Sequence, residues 1–261
     1  MKSRAAELER VVLAPDDLDK AIAAQRSVSA IRILPRETYD NSFSSIRGGG
    51  CYYGFYFRTP DYGRGSELHW GDGYLKTGST ELALMADLGE IPIDQISRDT
   101  RIVVDFANYK VPSDLRNSAE SVKARVGSLT IGETTSLPRV KPVVGHSYVV
   151  RSVHLGYYDI LVAFTVFRRD ADNSLILLWK LLQQNDTPRE ARDGNIAETD
   201  DQLHAKIQGW LGDKRFKGIV FKVSNRVVTL SGSADRQFFG YAIELANRSG
   251  ASKIINLLEP R

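Results

Sequence analysis

Between Gln183 and Thr199 the chain carries a single large apolar residue, Ile196, in a run otherwise made of Gln, Asn, Asp, Thr, Pro, Arg, Glu, Ala and Gly. A segment of that composition cannot bury enough apolar surface to offset the entropy of ordering it, so it reads as a linker that divides the chain. The expected organisation is a first domain over 1–182, a linker over 183–199 and a module over 200–261. At 261 residues, of which 42% are apolar, the chain is long enough to build cores without metal or disulfide staples.

Charge follows the same division. The whole chain carries 35 Lys plus Arg against 32 Asp plus Glu, a formal +3, too small to argue for wholesale nucleic-acid binding. The tail from Asp200 to Arg261 holds 10 basic and 6 acidic residues, a net +4, and the rest of the chain is at −1. All of the excess positive charge therefore lies in the last quarter. Cys51 is the only cysteine, which excludes an intramolecular disulfide and a thiolate metal cage and leaves the redox compartment open. The charged start, Met1-Lys2-Ser3-Arg4 through Arg10, is followed only by Val11-Val12-Leu13 before Pro15, so a signal-peptide core is missing, which leaves two expectations open: a cytoplasmic location, or an export signal that this sequence has lost. The longest apolar run, Ile160 to Phe167, is about a third of a bilayer-spanning helix, and no transmembrane segment is expected.

Within the first domain, residues 2–26 suggest helix in two pieces. Pro15 and the acids Asp16, Asp17 and Asp19 suit a helix start, and Leu18, Ile22 and Ala23 are placed inward. Val28–Leu34 and Tyr52–Phe57 suggest strands. Ser66–Trp70 and Tyr74–Thr77 flank Gly71-Asp72-Gly73, a turn that closes a hairpin. Thr80–Leu88 reads as a brief helix stopped by Gly89, Arg101–Phe106 as a strand, and Pro112–Ser136 as a polar surface excursion. Three apolar runs, Ser147–Val153, Asp159–Arg168 and Ser174–Leu181, are separated by short polar turns such as Asp170-Ala171-Asp172-Asn173 and predict an antiparallel meander.

The tail is more sharply patterned. Leu203, Ile207 and Leu211 recur every four residues after a Thr199 or Asp200 cap, and Gly212 ends that helix. Ile219, Phe221 and Val223 alternate, as do Val228 and Leu230, across Ser224-Asn225-Arg226. A second helix places Phe238, Ala242, Leu245 and Ala246 inward up to Gly250, and Ile254–Leu258 forms a last strand. The fold class is α+β: a β-rich first domain plus a small αββαβ module. That order, with Val227-Val228-Thr229-Leu230-Ser231-Gly232 and the closing Gly250-x-x-x-Ile254-Ile255-Asn256-x-Leu258, resembles the BON domain of bacterial osmotically induced and nodulation proteins. Ala251-Ser252 stands where that family usually has a valine straight after the glycine. The resemblance implies binding rather than catalysis, phospholipid surfaces and cell-envelope maintenance, potassium in one relative, and an exported location. It also implies a constant glycine at Gly232, for which the chemistry supplies a structural reason: without a Cβ the strand exit turns sharply into the helix. Gly250 is a structural glycine in the same sense.

Common catalytic arrangements are not supported. The histidines, His69, His146, His154 and His204, lie in no recognised motif, and Cys51 fits a buried thiol better than a nucleophile. Gly71-Asp72-Gly73-Tyr74-Leu75-Lys76-Thr77 lacks the glycine that a P-loop needs before its lysine, and Arg47-Gly48-Gly49-Gly50 leads into a strand rather than a helix. Neither His69 and His154 with Glu67 or Asp159, nor the carboxylates Glu67 and Asp72, have a spacing that marks a metal or glycosidase site. No catalytic residue, metal or cofactor is assigned.

The best binding candidate is the basic group Lys206, Lys214, Arg215 and Lys217, interleaved with Trp210 and Phe216. Cations attract anionic headgroups, and an indole tolerates a half-wet position. Phe216 is expected in the core. The functional expectation is a non-catalytic protein that attaches to anionic phospholipid, with a cell-envelope or stress role; the oligomeric state is left open. The alternatives are a potassium or small-ligand sensor and an enzyme whose site is in the first domain.

Overall fold

The computed structural model describes residues 13–39, 49–60, 65–78, 80–112, 119–155, 157–185, 198–234 and 236–260. The chain is mixed α+β and divides into two compact units. The first comprises Met1–Phe55, Pro60–Val153 and Ile160–Gln184, and the second Tyr56–Thr59, His154–Asp159 and Asn185–Arg261.

Five strands form the main sheet of the first unit: β1 (Ser29–Ile33), β5 (Leu82–Gly89), β9 (Ser147–His154), β10 (Tyr158–Arg169) and β11 (Leu175–Asn185), in the order β1-β11-β10-β9-β5. The three apolar runs predicted as a meander are thus neighbours in the sheet. All eight residues of β9 and the first nine of β10 are buried, so both faces of the sheet centre are covered. On one face Phe164 stacks on Tyr148 at 5.2 Å, and Phe55 packs on Trp179 at 5.1 Å and Phe164 at 6.1 Å. Arg151, 4% exposed, reaches from β9 to α2 (Arg101–Asn108), where its Nη1 donates to the carbonyls of Phe106 at 2.6 Å and Tyr109 at 2.7 Å. These carbonyls have no partner within the helix, and a guanidinium suits that negative end of the helix.

Helix α1 (Asp17–Gln25) starts at Asp16, whose side chain accepts from the Asp19 amide. Asp19 is fully buried, and Arg168 of β10 grips it with Nη1 at 2.8 Å and Nη2 at 3.0 Å while Nε donates to Asp170 at 2.6 Å. Burial pushes the Asp19 carboxyl up, and Arg168 opposes that shift. A buried carboxylate with a bidentate partner, rather than an apolar stripe, fixes this helix. Leu18, expected inward, is 66% exposed, and Ala23 is buried as expected.

A second sheet in the first unit has the order β2-β3-β4-β8: β2 (Tyr52–Tyr53), β3 (Leu68–Gly71), β4 (Tyr74–Thr77) and β8 (Arg139–Val140). The Gly71-Asp72-Gly73 hairpin forms as expected, with positive φ at Asp72 (54°) and Gly73 (75°).

Four expectations need correction. Thr80–Leu88 is not a helix: Leu82–Gly89 is strand β5, paired antiparallel with β9 and buried along most of its length, so tertiary pairing overrides the helix preference of Leu, Ala and Met. Arg101–Phe106 is not a strand but the start of α2, where Val103 and Phe106 are buried at helical spacing. The Tyr52–Phe57 strand stops at Tyr53, and Arg58 takes a positive φ of 50°. The supposed polar excursion contains α3 (Ala119–Val126), with Ser121 and Ala124 buried, and the β6 (Leu129–Ile131) and β7 (Thr134–Ser136) hairpin. The first helical piece, up to residue 12, lies outside the described residues, as do Arg47, Gly48 and most of the linker.

In the second unit, α4 (Asp200–Leu211) begins with a capping box between Thr199 and Gln202, and Leu203, Ile207 and Leu211 are buried. After it come a 3-10 turn at Lys214–Phe216, β12 (Ile219–Ser224), β13 (Val227–Ala234), α5 (Arg236–Arg248) and β14 (Lys253–Pro260). The predicted helix, strand, strand, helix, strand order is present. The sheet order is β12-β13-β14, with β12 antiparallel and β14 parallel to β13, so α5 is a crossover. Asn225 and Arg226 take φ of 51° and 61° in the hairpin turn, and their amides donate to the Asp200 carboxylate at 2.8 and 2.6 Å.

Two segments from the earlier part of the chain belong to this unit. Tyr56 stacks on Tyr158 at 4.4 Å, Phe57 meets Tyr158 edge-on at 6.0 Å, and Asn256 Nδ2 of β14 donates to the Tyr56 carbonyl at 2.7 Å.

Candidate functional site

The loop leaving α4 is built around Phe216. Asp213 caps the 3-10 turn by accepting from the Arg215 amide, Phe216 is 2% exposed, and Lys214, Arg215 and Lys217 are all exposed. Burial of the one aromatic in a four-residue stretch turns its three cationic neighbours outward. Arg215 is partly answered within the loop, since its Nε lies 3.0 Å from Asp213 Oδ1. The guanidinium holds the Asp213 carboxyl below its usual range, with the Arg215 side chain as the leading cause. Phe216 packs on Phe238 at 6.2 Å and on Tyr241 at 5.9 Å, and Tyr241 is 43% exposed. An aromatic ring therefore stands half-wet beside the cations, from α5 rather than from α4.

Trp210 and Lys206 sit one turn apart on α4. Trp210 is half-buried, and the Lys206 ammonium lies 5.8 Å from its ring centroid, a cation–π distance. The same ammonium donates to Glu198 Oε1 at 2.7 Å and to the Ser249 carbonyl at 3.0 Å. Lys206 thus ties the start and flank of α4 to the α5–β14 junction, and its charge is answered inside the unit.

Gly232 and Gly250 are required by the backbone. Gly232 has φ +89°, and a Cβ there would come within 2.2 Å of the Gly218 carbonyl oxygen. It lies inside β13 rather than at the strand exit, so close approach to the preceding loop, not only a sharp turn, calls for glycine. Gly250, at φ +99°, follows the end of α5, with Glu198 Oε2 3.1 Å from its missing Cβ.

The carbonyls at this junction bear on potassium, since Ser249 O accepts from Lys206 and Gly250 O from Arg226 at 3.4 Å. Among the described residues no group of three or more His, Cys, Asp or Glu is placed to hold a metal, and no helix is long and apolar enough to cross a membrane.

The histidines of the first unit are engaged with an aromatic ring and a carboxylate. His69 is 8% exposed and stacks on Tyr52 at 4.5 Å, with Lys76 as its cross-strand neighbour. Burial, followed by the charges of Lys76 and Arg36, pushes its imidazole down to about 4. His146 Nδ1 lies 3.0 Å from Asp87 Oδ2. Cys51 is fully buried.

Three exposed side chains of the second unit were missed in the sequence: Tyr241, Val220 (62% exposed) and Leu257 (52%). Val220 was within reach, because strict alternation through Ile219-Val220-Phe221 sends the middle residue outward. Family models, curated proteins and solved structures offer no match to the chain.

Proposed function

We propose that the second unit is a non-catalytic binding module that adsorbs to anionic phospholipid surfaces through its Lys214–Lys217 loop. The observation that carries this reading is the exposure of Lys214, Arg215 and Lys217 around buried Phe216, with half-wet Tyr241 beside them. The net +4 of the tail favours the same class of partner. Cations near an anionic bilayer contribute about 1 kcal/mol each, so the loop supplies at most about 2 to 3 kcal/mol once Asp213 is considered, a contact weaker than millimolar. Aromatic insertion strengthens it, with Tyr241 and the rim of Trp210 as the groups in place. The likeness to BON modules, with their phospholipid and envelope associations, belongs to this reading, as does an envelope or stress role.

The test is flotation of the full chain with vesicles of phosphatidylglycerol and of phosphatidylcholine at low and high salt. Binding to the anionic vesicles alone, weakened by salt and by the double change Lys214→Glu and Lys217→Glu, is the expected result. Equal recovery with both lipids would overturn the proposal.

A further inference from the structure

Among the described residues, α4 packs against β12 and α5 against β13 and β14, on the side of the second unit's sheet that holds its buried rows. The inner rows of this sheet, Val223-Val228-Ile254, Phe221-Leu230-Asn256 and Ile219-Gly232-Leu258, lie in register across the three strands and hold the buried Val228, Leu230, Ile254 and Leu258. The outer rows are Val220-Ser231-Leu257, Lys222-Thr229-Ile255 and Ser224-Val227-Lys253. In the first of these, Val220 and Leu257 are 62% and 52% exposed, and Lys222 in the next is exposed. Ile255 and Val227 are half-buried on the same face. Leu257 and Ile255 are same-face neighbours along β14, and Val220 stands at the opposite edge of the Leu257 row, so the apolar side chains of this face group together beside lysine.

We infer that this open sheet face is the apolar contact plane of the module on an anionic bilayer, the part of the interface that the loop alone does not provide. The inference rests on the lipid reading above. Three features favour a bilayer as occupant. Cations outnumber acids around the face: exposed Lys222 and half-buried Lys253 lie on its rows and exposed Lys217 precedes Gly218, whose carbonyl accepts from the Ser233 amide, against exposed Glu259, which pairs with Ser233 at the edge of the face. The face is also small. Spanning three strands and three outer rows, it measures roughly 10 by 13 Å, far below the ~800 Å² per partner of a stable protein interface. Finally, a second copy would bring a module of net +4 against another of the same sign. A bilayer has no minimum area, and its interface accepts aliphatic side chains beside lysines.

The experiment uses the full chain with vesicles of phosphatidylglycerol and phosphatidylcholine mixed in equal parts, and with pure phosphatidylcholine. The double change Val220→Asp and Leu257→Asp is expected to weaken binding to the mixed vesicles about tenfold or more, with an unchanged far-UV spectrum and thermal midpoint. In a second measurement, Leu257→Trp adds fluorescence that brominated lipid quenches. Normal vesicle binding by the Asp variant, together with no quenching of the added indole in the Leu257→Trp variant, overturns the inference and leaves the lipid reading standing. If the unaltered chain ignores the anionic vesicles, the lipid reading itself fails, and this inference with it. A dimer in sedimentation equilibrium that the Asp variant dissociates without loss of vesicle binding assigns the face to a second copy, which also overturns it.

Discussion

His69 shows what one buried residue does to the pH response of the first unit. Its imidazole is closed in by Tyr52, faces Lys76 across the β3–β4 pair and feels Arg36, so the folded state resists its protonation down to about 4. The unfolded chain takes up that proton near 6.5. The depressed value therefore means stability that is complete above pH 6.5 and is lost as the pH falls from 6.5 towards 4, roughly 2 to 3 kcal/mol over the window. Urea denaturation at pH 7.5 and 4.5 checks this: the native chain should lose more stability on acidification than His69→Gln, by about 2 kcal/mol, and equal losses would refute it. Tyr52, Lys76 and Arg36 come from three separate stretches, so neither the burial nor the cationic surroundings could be read from the residues flanking His69. Asp19 makes the same point. Its place in an acidic helix start fits the helix dipole, but only Arg168, 149 residues later, accounts for its burial.

At the scale of elements, α4 joins a legible pattern to a contact that was not legible. Its four-residue apolar spacing and its cap were visible in the sequence and are present in the structure. Lys206 is different: a lysine on a helix beside a tryptophan suggests a surface cation, and its bonds to Glu198 and the Ser249 carbonyl depend on where α5 ends. Replacing it with methionine keeps the stem over Trp210 and removes the ammonium. Lys206→Met should lower stability by about 1 kcal/mol in denaturant titration yet leave vesicle affinity unchanged, separating an internal tie from a headgroup contact. The misread elements have different causes. β5 has a helix-favouring composition but is held as a strand by pairing with β9, whereas α2 carries a β-branched run although Val103 and Phe106 already stand at helical spacing, and Arg151 satisfies carbonyls at its end. β5, decided by a distant partner, was not legible; α2 was within reach of its spacing.

Over the whole molecule, the linker in the sequence and the compact units of the fold divide the chain differently. The module expected at 200–261 has the predicted order of elements, but Tyr56–Thr59 and His154–Asp159 pack with it, through the Asn256 contact and the stacked Tyr56 and Tyr158 rings. A fragment of residues 198–261 lacks those segments. Its urea midpoint should fall below that of the second unit in the full chain, and a midpoint at or above it would show that the two segments contribute nothing. Those contacts also bear on synthesis. Tyr56 leaves the ribosome 200 residues before Asn256 does. At cellular elongation rates that interval is on the order of 10 to 40 s, during which the surface that Tyr56 and Phe57 join in the finished unit is still being made. Translation speed through the later part of the message, and the chaperones that meet the nascent chain meanwhile, thus become determinants of how much protein is recovered.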